Sequence, residues 1–429
     1  MTPNSENAFL AELRWRGFLE AVTSEDVEPH LSQARRTIYA GFDPTADSLH
    51  LGSLVPVMAL AHAQRHGHRP LALAGGGTGL IGDPSGKTSE RTLLSKADAE
   101  RNAASIGAQL GKFFDLSSPE RGLLLNNAEW LLPLRLVDFL RDIGKHFSVN
   151  EMMKRDSVRT RLEEREHGIS YTEFTYMLLQ SYDFLHLFQH HGCTIQMGGS
   201  DQWGNIVSGM ELIRRIEGQR AYGITMPLLA SSTGKKFGKT EEGAVWLAAE
   251  RSSPYQMYQY WVQSADADVI SYLKLFTFLE QTRINELEHE VKAHPEKREA
   301  QRVLAAACTE IVHGSAAVEA VEAASRILFS ESTETATPET IKLLSVEVPS
   351  TEITRSELET KVALIDLLVR TRLADSKAAA RKLIEGGGVY VYNERQSSVQ
   401  RALSVGDLKW PGAILLRTGK RNFHLVVIT

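Results

Sequence analysis

A short apolar run, Ile38-Tyr39-Ala40-Gly41-Phe42, leads to His50-Leu51-Gly52-Ser53 and then to a helix-period apolar segment, Leu54 to Arg65, closed by Gly67. A second strand-like run, Pro70 to Ala74, follows. Strand, turn, helix and strand in this order pair in parallel with the helix crossing one face, which commits the chain to an α/β sheet covered on both sides. The turn is also chemically loaded. Free N–H groups and the dipole at a helix N-terminus favour phosphate. The His50 imidazole can reach a phosphate oxygen, and Gly52 lets a base or backbone approach without a Cβ.

Far along the chain stands a Gly-punctuated loop, Lys235-Lys236-Phe237-Gly238-Lys239-Thr240. Lys236 and Lys239 can close over phosphates and stabilise charge that develops in transfer. Alone, an HxG triplet arises by chance and a Lys/Gly loop is an ordinary solvated turn. Together and in this order they suggest ATP activation.

The glycine stretch Gly75 to Lys87 is a poorer guide. Gly77-Thr78-Gly79-Leu80-Ile81-Gly82 satisfies GxGxxG, and Gly86-Lys87-Thr88 mimics a P-loop end. Ile81 stands where a P-loop needs glycine, and Asp83-Pro84 stops any dinucleotide-binding helix. The better reading makes Asp83 a carboxylate presented to a cation, with Lys87 and Arg91 facing phosphate. Tyr176, Gln180 and Asp183 share one face of a predicted helix, Tyr171 to His190. That stripe either lines a pocket for a small polar ligand or is a partly exposed face around a core tyrosine. Gln196 to Asn205 reads as a strand end turning through glycines into a helix, which makes Asp201 and Gln202 candidates for ribose hydroxyls.

Leu123–Asn126, Thr194–Met197 and Tyr222–Leu228 read as further strands, and residues 1–36 as helical with a break at Pro29. Beyond Tyr255 amphipathic helices take over, including Arg298–Val312 and Ala316–Leu328. Residues 330–359 have the Ser/Thr/Glu composition of a linker. The final segment reads as helices Leu364–Arg370 and Ser376–Ile384, a Gly386-Gly387-Gly388 turn, and strands Val389–Tyr392 and Ile414–Arg417. Net charge is −5 overall, divided into −12 over residues 1–360 and +7 over 361–429, a plausible polyanion footprint at the C-terminal end. Cys193 and Cys308 are too few for a disulfide framework or a Cys-based zinc site, and no metal site or prosthetic group is expected. Without a signal-peptide pattern or an apolar run near ~20 residues, a cytoplasmic protein with no membrane partner is the default.

Tyr39-Ala40-Gly41-Phe42-Asp43-Pro44-Thr45 through Gly52, Gly82 to Lys87, Tyr176 to Asp183, Gly198-Gly199-Ser200-Asp201-Gln202-Trp203-Gly204-Asn205 and Lys236 to Thr240 resemble, in order, the bacterial tyrosyl-tRNA synthetases, and the stretch from about Val362 resembles their S4-type RNA-binding module. The resemblance implies an α/β fold: a Rossmann-like parallel-sheet catalytic domain over 1–250 with a dimerisation insertion around 130–165, a helical anticodon-side domain over 251–330, a linker over 331–360 and a small α+β S4-like domain over 361–429. It also implies a homodimer, with Leu131 to Phe147 giving an apolar interface.

The implied reaction has two steps. The carboxylate of L-tyrosine attacks the α-phosphorus of ATP, whose Mg2+ the nucleotide carries, and the terminal adenosine of tRNA(Tyr) then takes the acyl group. By the resemblance Thr45, His50, Lys87, Arg91, Lys236 and Lys239 stabilise the transferring phosphoryl group. Tyr176, Gln180 and Asp83 hold the substrate ammonium, and Tyr39 and Asp183 hold its phenol. Gly41, Asp43, Gly52, Asp201 and Gln202, with the loop residues Phe237, Gly238 and Thr240, hold the nucleotide. Ser53 stands where many members carry a second His, Ala40 where some carry Cys, and the loop reads KFGKT and not KMSKS.

Lys154, Arg155, Arg159, Arg161 and Arg165 either face an acceptor stem or form a solvated helix face, and Arg381, Lys382, Lys420 and Arg421 are RNA candidates in the C-terminal module. A tryptophan-activating sibling, a plain adenylyltransferase and a non-enzymatic RNA-binding protein are the competing readings. Tyr39 with Asp183, the RNA-binding appendage, and the intact His50, Lys236, Lys239 and Asp201 weigh against them in turn.

Overall fold

The computed structural model describes residues 7–85, 94–155, 158–159, 162, 168–232, 234, 237–240, 243–329, 335–419 and 422–429. These divide into two compact units, Met1–Ser252 with Tyr260–Val312, and Ser253–Gln259 with His313–Thr429.

The first unit is built on six strands: β1 Ala21–Val22, β2 Thr37–Phe42, β3 Arg69–Ala74, β4 Leu123–Asn126, β5 Cys193–Gly199 and β6 Tyr222–Met226, in the order β1-β6-β5-β2-β3-β4. All neighbours pair in parallel except β1, which runs antiparallel to β6. Helices Leu54–Arg65, Lys96–Leu110, Tyr171–His191 and Trp203–Glu217 fall between successive parallel strands. The chain winds outward from β2 through β3 to β4 and restarts at β5 on the other side of β2. That reversal makes the carboxyl ends of β2 and β5 a topological switch point, where open α/β sheets bind ligands. β2 and β3 are almost wholly buried, as strands covered on both faces must be. Tyr39, Leu71, Leu73, Phe184, Leu187 and Cys193 belong to one core cluster.

The predicted strands are present, with ends shifted by a residue or two. β1 was missed within the helical reading of residues 1–36, since two residues carry no periodicity. Helices Asp266–Phe276, Gln281–Ala293 and Glu299–His313 cluster with the sheet, so the stretch expected as a separate domain over 251–330 divides near Val312. One mooring is Arg16, buried to 4% exposure, whose guanidinium donates to the carbonyls of Lys274 (2.8 Å), Thr277 (3.0 Å) and Leu279 (2.8 Å). It thereby satisfies acceptors that a helix C-terminus leaves open. A two-strand hairpin, β7 Lys239–Thr240 and β8 Gly243–Ala244, completes this unit.

In the second unit, β9 Ser350–Ile353, β11 Val389–Val391, β12 Glu394–Gln396, β14 Ala413–Thr418 and β15 Asn422–Ile428 form a sheet ordered β12-β11-β14-β15-β9, beside a pair made by β10 Val362–Ala363 and β13 Ala402–Leu403. Part of the stretch expected as a linker over 331–360 has regular structure. Residues Pro338–Glu347 and Arg355–Glu359 are helices, and β9 pairs in parallel with β15. The Ser/Thr/Glu composition serves as caps: Thr337 accepts from the Thr340 amide ahead of Pro338, and Thr354 with Glu357 makes a reciprocal capping box.

Candidate active site

Beyond β2 the chain turns through Asp43 to His50, whose extended backbone (φ −118°, ψ 168°) opens the 3-10 turn Leu51–Ser53 and then the helix Leu54–Arg65. His50 bridges Trp246 in antiparallel fashion, and the two rings meet edge to face at 5.9 Å. The Leu51 amide donates to the Val245 carbonyl (3.0 Å), the Leu247 amide to Leu49 (2.8 Å), and the Val245 amide to Gly238 (2.9 Å). The remote loop is thus hydrogen-bonded onto the strand-to-helix turn. Gly238 sits on Gly52, and Phe237 anchors the loop from below, stacked on Phe276 (5.1 Å, 3°) and beside Tyr272 and Trp261. The Gly238 amide donates to the Tyr260 hydroxyl at 2.8 Å. Lys239 is exposed, as are Thr45 and Gly41 at the switch point. Lys87, Arg91 and Lys236 lie outside the described residues, as does the Thr240 side chain.

A buried polar network lines the interior side. Asn127, just past β4, accepts from the Gly77 amide (2.7 Å) and donates to Thr78 Oγ1 (2.9 Å) and Asp183 Oδ2 (2.8 Å). Trp130 Nε1 donates to the other Asp183 oxygen at 2.7 Å. Burial pushes the Asp183 carboxyl up to about 7, although both hydrogen bonds pull it down and Asp43 adds repulsion. Tyr39 is 1% exposed, and its hydroxyl has no hydrogen-bond partner among the described residues. Burial, with the Asp183 charge next, raises that phenol well above its ordinary value. Tyr176, likewise raised by burial and by Asp43, directs its hydroxyl to Asp43 Oδ1 at 3.5 Å.

A second network sits at the end of β5. Gln202 Nε2 donates to Asp83 Oδ2 (2.7 Å), Gln180 Nε2 to Gln202 Oε1 (3.2 Å), and Asn205 Nδ2 to Gln180 Oε1 (3.0 Å). Burial raises the Asp201 carboxyl, and Asp83 raises it further. Tyr176, Gln180 and Asp183 do face one way, and the two networks meet along that helix stripe. Lys154 is exposed and Arg155 half-buried, its Cδ 3.6 Å from where a Cβ on Gly204 would stand. Arg381 and Lys382 are exposed on the second unit, and Lys420 and Arg421 lie outside the described residues, as do Arg161 and Arg165.

Sequence reasoning missed Asn127, Trp130, Thr78 and Asn205. Only Asn126-Asn127, polar residues at a strand's carboxyl end, offered a signal.

This sheet with its switch-point site is the catalytic architecture of a class I aminoacyl-tRNA synthetase: residues 31–330 match the family model described as tRNA synthetases class I (W and Y). Residues 340–426 match the tyrosine–tRNA ligase SYY-like C-terminal domain. The chain is 52% identical over 419 residues to a tyrosine–tRNA ligase of Roseiflexus castenholzii, covering 97% of this chain and 98% of that one. A Bacillus caldotenax tyrosine–tRNA ligase is 47% identical, with 97% and 99% covered. Among solved structures, a C-terminally truncated mitochondrial tyrosyl-tRNA synthetase of Coccidioides posadasii aligns with TM-score 0.64 and 36% identity over 73% of this chain and 90% of that one. A Plasmodium falciparum tryptophanyl-tRNA synthetase shares the fold, with TM-score 0.54 and 14% identity over 72% of this chain and 84% of that one. The chain belongs to the tyrosine–tRNA ligase family.

Proposed function

We propose that the switch-point site activates L-tyrosine with ATP and passes it to the 3′-terminal adenosine of tRNA(Tyr), with each side chain in the role its position supports. The observation that carries this reading is the Tyr39 hydroxyl, buried without a hydrogen-bond partner among the described residues and within the electrostatic reach of Asp183, a carboxylate aimed by Asn127 and Trp130. A buried donor and acceptor left for a ligand select a hydroxylated ring, because phenylalanine would leave both unpaired.

Tyr176, Gln180 and Asp83 hold the substrate ammonium, and Gln202 shifts from Asp83 to the nucleotide side. ATP lies over Gly41, Asp43 and Gly52, with its ribose toward Asp201 and Gln202 and its Mg2+ brought by the nucleotide. The tyrosine carboxylate attacks the α-phosphorus and pyrophosphate leaves. Thr45 and His50 meet the phosphates from the turn, Lys87, Arg91, Lys236 and Lys239 supply further positive charge to them, and Phe237, Gly238 and Thr240 complete the nucleotide site. This is stabilisation of developing charge by positioned donors, with no covalent enzyme intermediate. The adenosine hydroxyl of the tRNA then attacks the mixed anhydride and AMP departs.

Lys154 and Arg155, the latter with its Cδ 3.6 Å from where a Cβ on Gly204 would stand, meet the acceptor stem in this reading, while Arg381, Lys382, Lys420 and Arg421 meet RNA from an S4-like module. Exposed Leu132, Leu136, Val137 and Leu140 supply a homodimer interface. A cytoplasmic setting suits this reaction, and among the described residues no helix is long and apolar enough to cross a membrane.

Exchange of labelled pyrophosphate into ATP, run with tyrosine, tryptophan and phenylalanine and followed by charging of total tRNA, tests the reading. Tyrosine alone should support both steps. Exchange driven best by tryptophan, or none with tyrosine, would overturn it.

A further inference from the structure

Trp130 comes from a single helical turn, Ala128–Leu131, and packs against the core cluster that holds Tyr39 and Phe184. Its indole is held at two points on the helix Tyr171–His191. Nε1 donates to Asp183 at 2.7 Å, and one turn further along the His186 imidazole stacks on the ring face, centroids 4.2 Å apart and planes within 15°. Asp183 and His186, three residues apart, lie on one helix face, so the indole spans carboxylate and imidazole together. On its other sides His186 meets the rings of His190 (4.3 Å), His191 and Tyr182 (both 6.4 Å). Burial, with His190 and His191 adding repulsion, holds the imidazole down at about 4, so the stack is neutral near pH 7 and sets no cation beside Asp183.

We infer that His186 is a positioning residue for amino-acid selection, fixing the plane of Trp130 so that its N–H aims the Asp183 carboxylate at the substrate phenol. The inference rests on the reading that Asp183 receives that phenol. His186 touches no substrate and acts only through Trp130.

The test uses the full-length chain in pyrophosphate exchange with tyrosine and with phenylalanine. An aromatic stack of this kind corresponds to about 2- to 10-fold in an equilibrium. His186→Ala should raise KM for tyrosine and lower the tyrosine-over-phenylalanine ratio of kcat/KM by about that factor, with KM for ATP unchanged. His186→Phe, which restores a flat ring, should recover most of the loss. Trp130→Phe removes the N–H, so adding His186→Ala to it should cost little more. His186→Gln replaces His186→Ala should the latter fail to fold. Unchanged tyrosine parameters in the His186 variants, or equal losses for tyrosine and ATP that Phe does not rescue, would overturn the inference. Asp183→Ala is the control: if it leaves the ratio unchanged, the underlying reading fails, and if it moves the ratio while His186 does not, only the inference fails.

Discussion

Gly238 lies with its α-carbon against the backbone of Gly52: a Cβ on Gly238 would stand 3.0 Å from the Gly52 amide nitrogen, and its φ of +76° already disfavours any other residue. Two segments far apart in sequence come together because neither carries a side chain at the point of contact. Phosphate binding by the KFGKT segment depends on this closeness, since it brings Gly238 and Lys239 to the turn that His50 opens.

Gly52→Ala tests the other side of that contact. A Cβ at position 52 would lie 2.9 Å from His50 Cε1 and 3.0 Å from Nδ1, so the imidazole must swing away from the turn. Misplacement of a phosphate-contacting group by about 1 Å costs on the order of 100-fold in rate. We expect kcat for tyrosine-dependent pyrophosphate exchange to fall by roughly 10- to 100-fold with the fold intact. Exchange kinetics beside a thermal melt check this. An unchanged kcat would separate His50 from the chemistry.

Asp183→Ala should abolish the preference for tyrosine over phenylalanine and leave KM for ATP nearly unchanged. Enzymes of this class reject phenylalanine by about 10⁵-fold, a property of the class and not a deduction from these distances. The same carboxyl gives a pH dependence. Burial pushes it up to about 7, so as pH falls through that value it gains a proton and becomes a weaker, uncharged acceptor for a phenol. kcat/KM for tyrosine should drop toward tenfold per unit below about pH 7, more steeply than kcat/KM for ATP. For stability the sign is opposite to that of a salt-bridged carboxylate: a raised carboxyl favours the fold below its unfolded value and loses that advantage as pH rises through about 7.

Buried histidines set an acid limit. His62, 2% exposed between Phe18 and Phe278, is held down at about 3 by burial and by Arg16 and Arg65, and burial holds His30 and His68 at about 4. A depressed imidazole favours the native state fully above about 6.5, and the advantage is lost as pH falls from there toward 3 and 4, because only the unfolded chain gains the proton. At pH 5 His62 alone corresponds to about 2 kcal/mol. His62→Phe, a larger aromatic ring without an ionisable group, should flatten the fall of denaturant midpoint between pH 7 and pH 5 whatever its effect on the midpoint at pH 7. A slope identical to the parent would remove His62 from the acid response.

Strands β2 to β6, the crossover helices Leu54–Arg65 and Tyr171–His191 and the stripe of Tyr176, Gln180 and Asp183 were legible because apolar runs, helical spacing and glycine turns report local physics, whereas the crossover helix Lys96–Leu110 was not read. Asn127 and Trp130 were not legible. Their value lies in which carboxylate they meet after β4 has been placed beside β3, and spacing in the sequence does not encode that distance. At 331–360 composition suggests a linker, yet Thr337, Pro338, Thr354 and Glu357 are the residues that start helices, and the same polar letters serve either purpose until β9 finds β15.

Leu136, Val137 and Leu140 lie on the helix Leu136–Asp142, exposed by 71%, 73% and 45%, with Leu132 at 44% just before it. Apolar side chains exposed to this extent on one short helix are costly for a lone chain in water and ordinary in a subunit interface. A two-fold pair would set the helix against its own copy, so one substitution changes both sides of the contact. Val137→Asp should therefore place two carboxylates near the axis and shift the protein from dimer to monomer at micromolar concentration, read by analytical ultracentrifugation. The same helix precedes Lys154 and Arg155, for which we propose acceptor-stem contacts, so the monomer should lose tRNA charging more than tyrosine-dependent exchange. A variant that stays dimeric would move the interface to another surface.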